Sequence, residues 1–214
     1  MREVLTQTKN QWAEFSPQQK AAAATAATLT IARPILAVSA AARGIDHDRE
    51  WTSGDAKQLG VAYLTDLEGN IARAAKAQTA LGGALDPMAD KIASAVPEII
   101  MASRGEETWA NVTIKLARDI GISALRSNVL KETEGRVSIS AGLSGKANTA
   151  FRQGVNVFAM SPLGEKYPKT RRTLQTISAL ATVASGAHTG YKLWKSAKAD
   201  RARTASREAA SREA

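Results

Sequence analysis

Residues 66 to 91 read DLEGNIARAAKAQTALGGALDPMADK, and this stretch decides how the rest of the chain is read. It sets Asp66, Glu68, Asp86 and Asp90, together with Arg73, into a run made largely of alanine and leucine. Carboxylates on an apolar background are costly to bury, so their presence points to chemistry. Gly82, Asp86 and Asp90 recur every four residues and therefore stack on one helix face, with Gly82 leaving room for a bulky ligand. Gly69 and Arg73 repeat the arrangement one segment earlier. Two facing helices with such stripes would bring carboxylates, an arginine and open backbone into one cleft. Hard divalent cations take oxygen ligands and are commonly shared between carboxylates and substrate phosphates, which suits metal-assisted chemistry on a diphosphate.

Composition sets the wider bounds. A chain of 214 residues, 44% apolar but only 5% aromatic and rich in alanine, fits one substantial all-α domain. The absence of cysteine excludes disulfides, thiolate metal sites and a cysteine nucleophile. His47 in a charged loop and His188 in a late helix give little material for a histidine-based catalytic set. The segment GLSGK at 142 to 146 ends as a phosphate loop does, but the glycine such a loop requires earlier falls at Ser140.

From Gly69 to Asp90 the order EGxxAR, eight residues, GxxxDPxxDK resembles the signature of CDP-alcohol phosphatidyltransferases, DxxDGxxARx(8)GxxxDxxxD. Residues 116 to 159, LARDIGISALRSNVLKETEGRVSISAGLSGKANTAFRQGVNVFA, are similar to the region ARE-hydrophobic-SALR followed by S-x-x-GKxKTxxQ in phosphatidylglycerophosphate synthases. The stretch TLTIARPIL (28 to 36) resembles their LTxxRxxxxP opening. The resemblance implies a six-helix transmembrane bundle that transfers a phosphatidyl group from CDP-diacylglycerol to glycerol 3-phosphate, with Mg²⁺ or Mn²⁺ as cofactor and a homodimer as the assembly. It implies metal ligation by Asp66, Glu68, Asp86 and Asp90, and contact of Gly69, Arg73 and Gly82 with the CDP group. Asp90 matches the general base, and Asp86 shares the catalytic stripe. Arg118, Arg126 and Lys146 are the candidates to clamp the acceptor's phosphate, for which a guanidinium offers paired donors.

One departure bears directly on activity. Where the family has Asp, two residues and Asp-Gly, this chain has Thr65, Asp66, Leu67, Glu68 and Gly69. On a regular helix Asp66 and Glu68 point roughly 160° apart, whereas the family's first two acids lie only about 60° apart. Either a bulge re-aims Asp66 or the metal set reduces to Glu68, Asp86 and Asp90. The second case describes a catalytically impaired membrane scaffold of the same fold.

Hydropathy pulls against the resemblance. The mean hydropathy is -0.23, and no uninterrupted run reaches the roughly 18 apolar residues of a clear spanning helix. The nearest are 21 to 42, broken by Arg33, and 173 to 191, rich in Thr, Ser and Gly. Small residues pack helix against helix inside membranes, and polar ones are tolerated facing a bundle interior. The expected organisation is an amphipathic interfacial segment at 1–20, a helical membrane domain at 21–194 and a basic tail at 195–214. Spans are expected at about 21 to 43, 55 to 76, 84 to 103, 108 to 130, 146 to 163 and 171 to 194, separated by turn-rich or charged gaps.

The chain carries a net charge of +9; the tail is basic, the amino-terminal segment carries Arg2, Lys9 and Lys20, and the loop between the fourth and fifth expected spans carries Lys131, Arg136 and Lys146. An even number of spans puts these on one side, which the positive-inside tendency assigns to the cytoplasm together with both termini and residues 69 to 90. Anionic membrane lipids account for such a tail. Nucleic acid is not expected as a partner, since the basic segments lack interleaved aromatics and any recognisable binding motif.

Overall fold

The computed structural model describes residues 2–65, 74–133 and 142–213, and these residues are helical with turns and no strand. The helices are α1 (Arg2–Glu14), α2 (Pro17–Ala42), α3 (Ser53–Leu64), α4 (Ala80–Ser103), α5 (Trp109–Glu132), α6 (Leu143–Ala159), α7 (Pro162–Lys166) and α8 (Pro168–Glu213), with a 3-10 turn at Arg43–Ile45. The chain forms two compact units, one of residues 1–108 and 153–172, the other of 109–152 and 173–214.

The all-α expectation is met, but several boundaries move for identifiable reasons. The amino-terminal amphipathic segment is broken at Phe15–Ser16. Ser16 caps α2 by accepting from Gln19 N–H, while the Gln19 side chain accepts from Ser16 N–H, and Pro17 starts the helix. The span expected at 84 to 103 begins at Ala80, because Thr79 caps it with its side chain on Gly82 N–H. Asp86 is thus a helix-interior residue, and its pairing with Pro87 does not mark a helix start. Of the span expected at 55 to 76, α3 ends at Leu64 and Ala74 is again helical, while residues 66–73 lie outside the described residues. Residues 75 and 76 form a turn, with Lys76 at φ 52°, and 77–79 are irregular, Thr79 being extended. Ser161 and Pro162 interrupt the span drawn at 146 to 163. The last helix continues for 46 residues, about 69 Å at the α-helical rise, so the tail from Lys195 extends a helix. Its first turn is packed: Ala197 is buried with Leu193 and Val129.

In the first unit α2 packs against α4 and α3. The core consists of Trp51, Leu59, Tyr63, Met101 and Met160 set among Ala37, Ala40, Ala41, Ala62, Ala93 and Ala159. Alanine at these contacts brings helix backbones close. Pro97 lies inside α4 and cannot donate to the Ala93 carbonyl. Tyr63 Oη donates to that carbonyl instead (3.4 Å) and accepts from Asn156 Nδ2 (3.1 Å).

At the α2–α3 connection Trp51 Nε1 donates to Glu106 (2.7 Å), and the Arg104 guanidinium lies 4.8 Å from the Trp51 ring. Arg104 also holds the carbonyls of Gly44, Asp46 and Arg49. A Cβ at Gly44 would meet the Trp51 ring at 2.2 Å, so this close approach requires glycine.

Beside this apolar core, several charged side chains are buried and several large aliphatic ones are exposed. Arg33, Asp55, Glu98 and Lys115 are buried, while Ile31, Ile35, Ile92, Ile120, Ile177 and Leu180 are exposed. Among the described residues one helical stretch, Pro17–Ile45 of mean hydropathy 1.5, is long and apolar enough to cross a membrane.

Candidate active site

The site builds from α4. The N–H groups of Ala80, Leu81 and Gly82 precede the first i→i−4 bond, which runs from Gly83 to Thr79, and the chain supplies a partner for each. Ala80 N–H donates to Gln11 Oε1 (3.0 Å), Leu81 N–H to Thr8 Oγ1 (3.0 Å), Gly82 N–H to Thr79 Oγ1 (3.1 Å) and Gly83 N–H to the Thr79 carbonyl (3.0 Å). Gly82, Asp86 and Asp90 therefore share one continuous helix, each a turn beyond the last. The carboxylates of Asp86 and Asp90 stand on Cβ atoms about 6 Å apart at this spacing.

Both acids are half-buried, and one Asp90 carboxylate oxygen is shielded from solvent. Thr30 of α2, itself 4% exposed, donates its hydroxyl to Asp86 Oδ1 at 2.7 Å. This hydrogen bond fixes the rotation of the Asp86 carboxylate. Three residues on, buried Arg33 donates to Thr65 through Nε to Oγ1 (3.4 Å) and Nη2 to the carbonyl oxygen (3.2 Å). Thr65 closes α3 and directly precedes Asp66, so the guanidinium meets the negative end of the α3 dipole where the acidic segment departs. Arg33, which interrupts the apolar run in the sequence, is thereby accounted for.

Asp66, Glu68, Gly69 and Arg73 lie outside the described residues, as does Arg136. Among the described residues no three His, Cys, Asp or Glu side chains gather into a metal-binding group. Asp86 and Asp90 supply two carboxylates of the hard-oxygen kind that Mg²⁺ or Mn²⁺ prefers, at a spacing that suits a cation shared with phosphate oxygens. The chemistry of these two carboxylates is compatible with such a cation.

The second unit carries the candidate anion-binding residues. Arg118 of α5 pairs with Asp119 (3.0 Å) and donates to Ser185 Oγ (3.1 Å). Its side chain lies over α8 at Gly186, where an added Cβ would come within 2.9 Å of Arg118 Cγ. Arg152 of α6, which the sequence reading passed over, completes the arrangement from the other side of Asp119 (2.6 Å). Arg126, two turns along α5, is half-buried and within Coulombic range of Arg118. Among the described residues its Nε has no hydrogen-bond acceptor. Lys146 is exposed in the first turn of α6.

Sequence reasoning also missed Thr8, Gln11, Gln19 and Thr30. A signal existed for two of them. Gln19 stands in S16-P-Q-Q19, a capping box with proline at its first helical position, and Thr30 lies in the TLTIARPIL stretch.

Residues 23–187 match the family model for CDP-alcohol phosphatidyltransferase, most of the chain, and the chain belongs to that family. Among curated relatives, a CDP-diacylglycerol–glycerol-3-phosphate 3-phosphatidyltransferase of Yersinia pestis is 34% identical over 96 residues, 44% of this chain and 52% of that protein. One of the same name from Pectobacterium atrosepticum is 35% identical over 102 residues (46% and 55%). Another, from Sodalis glossinidius, is 35% identical over 92 residues (42% and 50%). The chain thus spans about half the length of the curated relatives it matches.

Proposed function

We propose that this chain transfers the phosphatidyl group of CDP-diacylglycerol to glycerol 3-phosphate, releasing CMP and forming phosphatidylglycerophosphate. The observation that carries the reading is the Gly82, Asp86, Asp90 stripe on one capped helix, with Asp86 oriented by Thr30, inside the region that matches the family. The names of the relatives supply the acceptor.

Asp86 and Glu68, with Asp90 alongside and Asp66 where a bulge re-aims it, would hold the cation, and Mg²⁺ or Mn²⁺ would supply neutralisation of charge on the diphosphate. Gly69 and Gly82 admit the cytidine diphosphate to the backbone, and Arg73 contacts its phosphates. Asp90 accepts the proton from the 1-hydroxyl of glycerol 3-phosphate as that oxygen bonds to the lipid-linked phosphorus. The bond from this phosphorus to the CMP oxygen breaks, and CMP leaves with the electron pair. Arg118, Arg126 and Lys146 bind the acceptor's phosphate. Support for Arg126 comes from its half-buried guanidinium, whose Nε lacks an acceptor among the described residues.

The protein is proposed to be a multi-pass membrane protein and a homodimer. Both termini and residues 69 to 90 face the cytoplasm, where the basic tail meets anionic lipids. The buried charges and exposed aliphatic side chains support the membrane placement, because lipid solvates Ile31, Ile35 and Ile120 while the interior holds Arg33, Asp55 and Glu98. The register of Asp66 against Glu68 favours a second reading, a catalytically impaired scaffold of the same fold with a degenerate metal site. CMP release from CDP-diacylglycerol in detergent, with Mg²⁺ or Mn²⁺ and a panel of glycerol 3-phosphate, serine and inositol phosphate, decides between them. Release dependent on glycerol 3-phosphate supports the transferase. No release with any acceptor, together with no Mn²⁺ affinity, leaves the scaffold.

A further inference from the structure

Residues 2–20 precede the part of the chain that matches the family, yet three of their side chains reach into the signature. Gln11 Oε1 accepts from Ala80 N–H and Thr8 Oγ1 from Leu81 N–H, both at 3.0 Å. Gln19 Oε1 accepts from Ser16 N–H, while its Nε2 donates to the carbonyls of Ala75 and Lys76 at 3.4 and 3.5 Å. Ala75, Lys76, Ala80 and Leu81 all fall in the eight-residue spacer between Arg73 and Gly82.

The first turn of α4 needs outside support. It contains Gly82 and Gly83, and glycine is the weakest helix former after proline. Pro87 cannot donate to the Gly83 carbonyl, so one of the bonds that would tie this turn to the next is missing. Lys76 sits in the left-handed region at φ 52°, which a side chain rarely adopts without being held there. An unsupported Ala80–Gly83 turn would fray, taking Gly82 out of register with Asp86 and Asp90.

We propose that Thr8 and Gln11 of α1, assisted by Gln19, are positioning residues for the signature helix: they hold its Gly82 turn in the conformation that receives the nucleotide diphosphate. This rests on the phosphatidyltransferase reading for its kinetic consequence, but the structural claim is separately measurable. Amino-terminal residues outside the family match thereby complete the substrate site by holding backbone N–H groups, without touching substrate.

The test compares full-length Thr8→Val/Gln11→Met, which removes both acceptors at nearly constant size, with Thr8→Ser/Gln11→Glu, which keeps them. Amide exchange across residues 75–90 is measured for each, alongside CMP-release kinetics. The expected result for the first variant is exchange at Ala80 and Leu81 faster by about tenfold, with KM for CDP-diacylglycerol raised by a similar factor and KM for glycerol 3-phosphate unchanged. The second variant returns both quantities to wild-type values. Exchange and KM equal to wild type in the first variant overturn the proposal. So does a fall in kcat with both KM values unchanged, which marks a loss of folded protein only. If wild-type protein releases no CMP, the transferase reading fails, and the exchange of Ala80 and Leu81 decides the positioning role alone.

Discussion

Replacing Thr30 with valine removes one hydroxyl from the site and almost nothing else, because the two side chains have nearly the same shape. Thr30 is 4% exposed and gives Asp86 Oδ1 a hydrogen bond of 2.7 Å. A hydrogen bond to a charged group contributes about 1.5–3 kcal/mol, equivalent to roughly 10- to 150-fold in an equilibrium constant. Partners that orient a metal-binding carboxylate typically govern about 10- to 100-fold in metal affinity. The two routes agree, so Thr30→Val is expected to weaken Mn²⁺ binding by about one to two orders of magnitude. Thr30→Ser keeps the donor and should stay within a few-fold of wild type. Mn²⁺ titration followed by electron paramagnetic resonance reads both. Wild-type Mn²⁺ affinity in Thr30→Val would show that Asp86 is not a ligand whose orientation matters.

Three further outcomes are expected. Gly44→Ala drives a methyl group into the Trp51 ring, to within 2.2 Å of its nearest atom; overpacking of this kind costs about 1–3 kcal/mol, so the melting temperature should drop by several degrees, and an unchanged value would mean that the ring moves freely. Tyr63→Phe strips the hydroxyl that serves both the Ala93 carbonyl and Asn156 Nδ2; a loss of about 1–3 kcal/mol is expected by thermal unfolding in detergent, and a variant as stable as wild type would refute the role given to this hydroxyl beside Pro97. Glu132, paired with Arg201, has its carboxyl held below the ordinary glutamate range by that hydrogen bond. A depressed carboxylate adds stability above its unfolded pKa and loses it as pH falls through the folded one, so any difference in melting temperature between wild type and Glu132→Gln should be present at neutral pH and vanish in acid.

The fold class was legible because alanine-rich apolar runs are separated by turn-rich or charged gaps, and the long helices fall close to those runs. The stripe Gly82, Asp86, Asp90 was legible because its spacing is helical. Thr79 as the start of α4 was less so: the expected span began at about residue 84, and the N–H groups of the preceding turn find Thr8 and Gln11 some seventy residues earlier in the chain. The role of Arg33 was hidden for a related reason, since it meets the hydroxyl and the carbonyl of Thr65 at the end of another helix. Pairwise contacts of this kind carry no local pattern. Arg152 was overlooked because a lone arginine in an amphipathic helix is indistinguishable from a solvated one until Asp119 is found against it. The Ser16 to Gln19 capping box, by contrast, was present in the sequence and divides α1 from α2.

The central claim is that Asp90 takes the acceptor's proton on a helix where Asp86 holds the cation. It is tested most directly by measuring phosphatidylglycerophosphate formed from CDP-diacylglycerol and glycerol 3-phosphate by wild type and by Asp90→Asn, at equal amounts of folded protein. The account predicts product from wild type and none above background from Asp90→Asn. Equal turnover by the two proteins would contradict it.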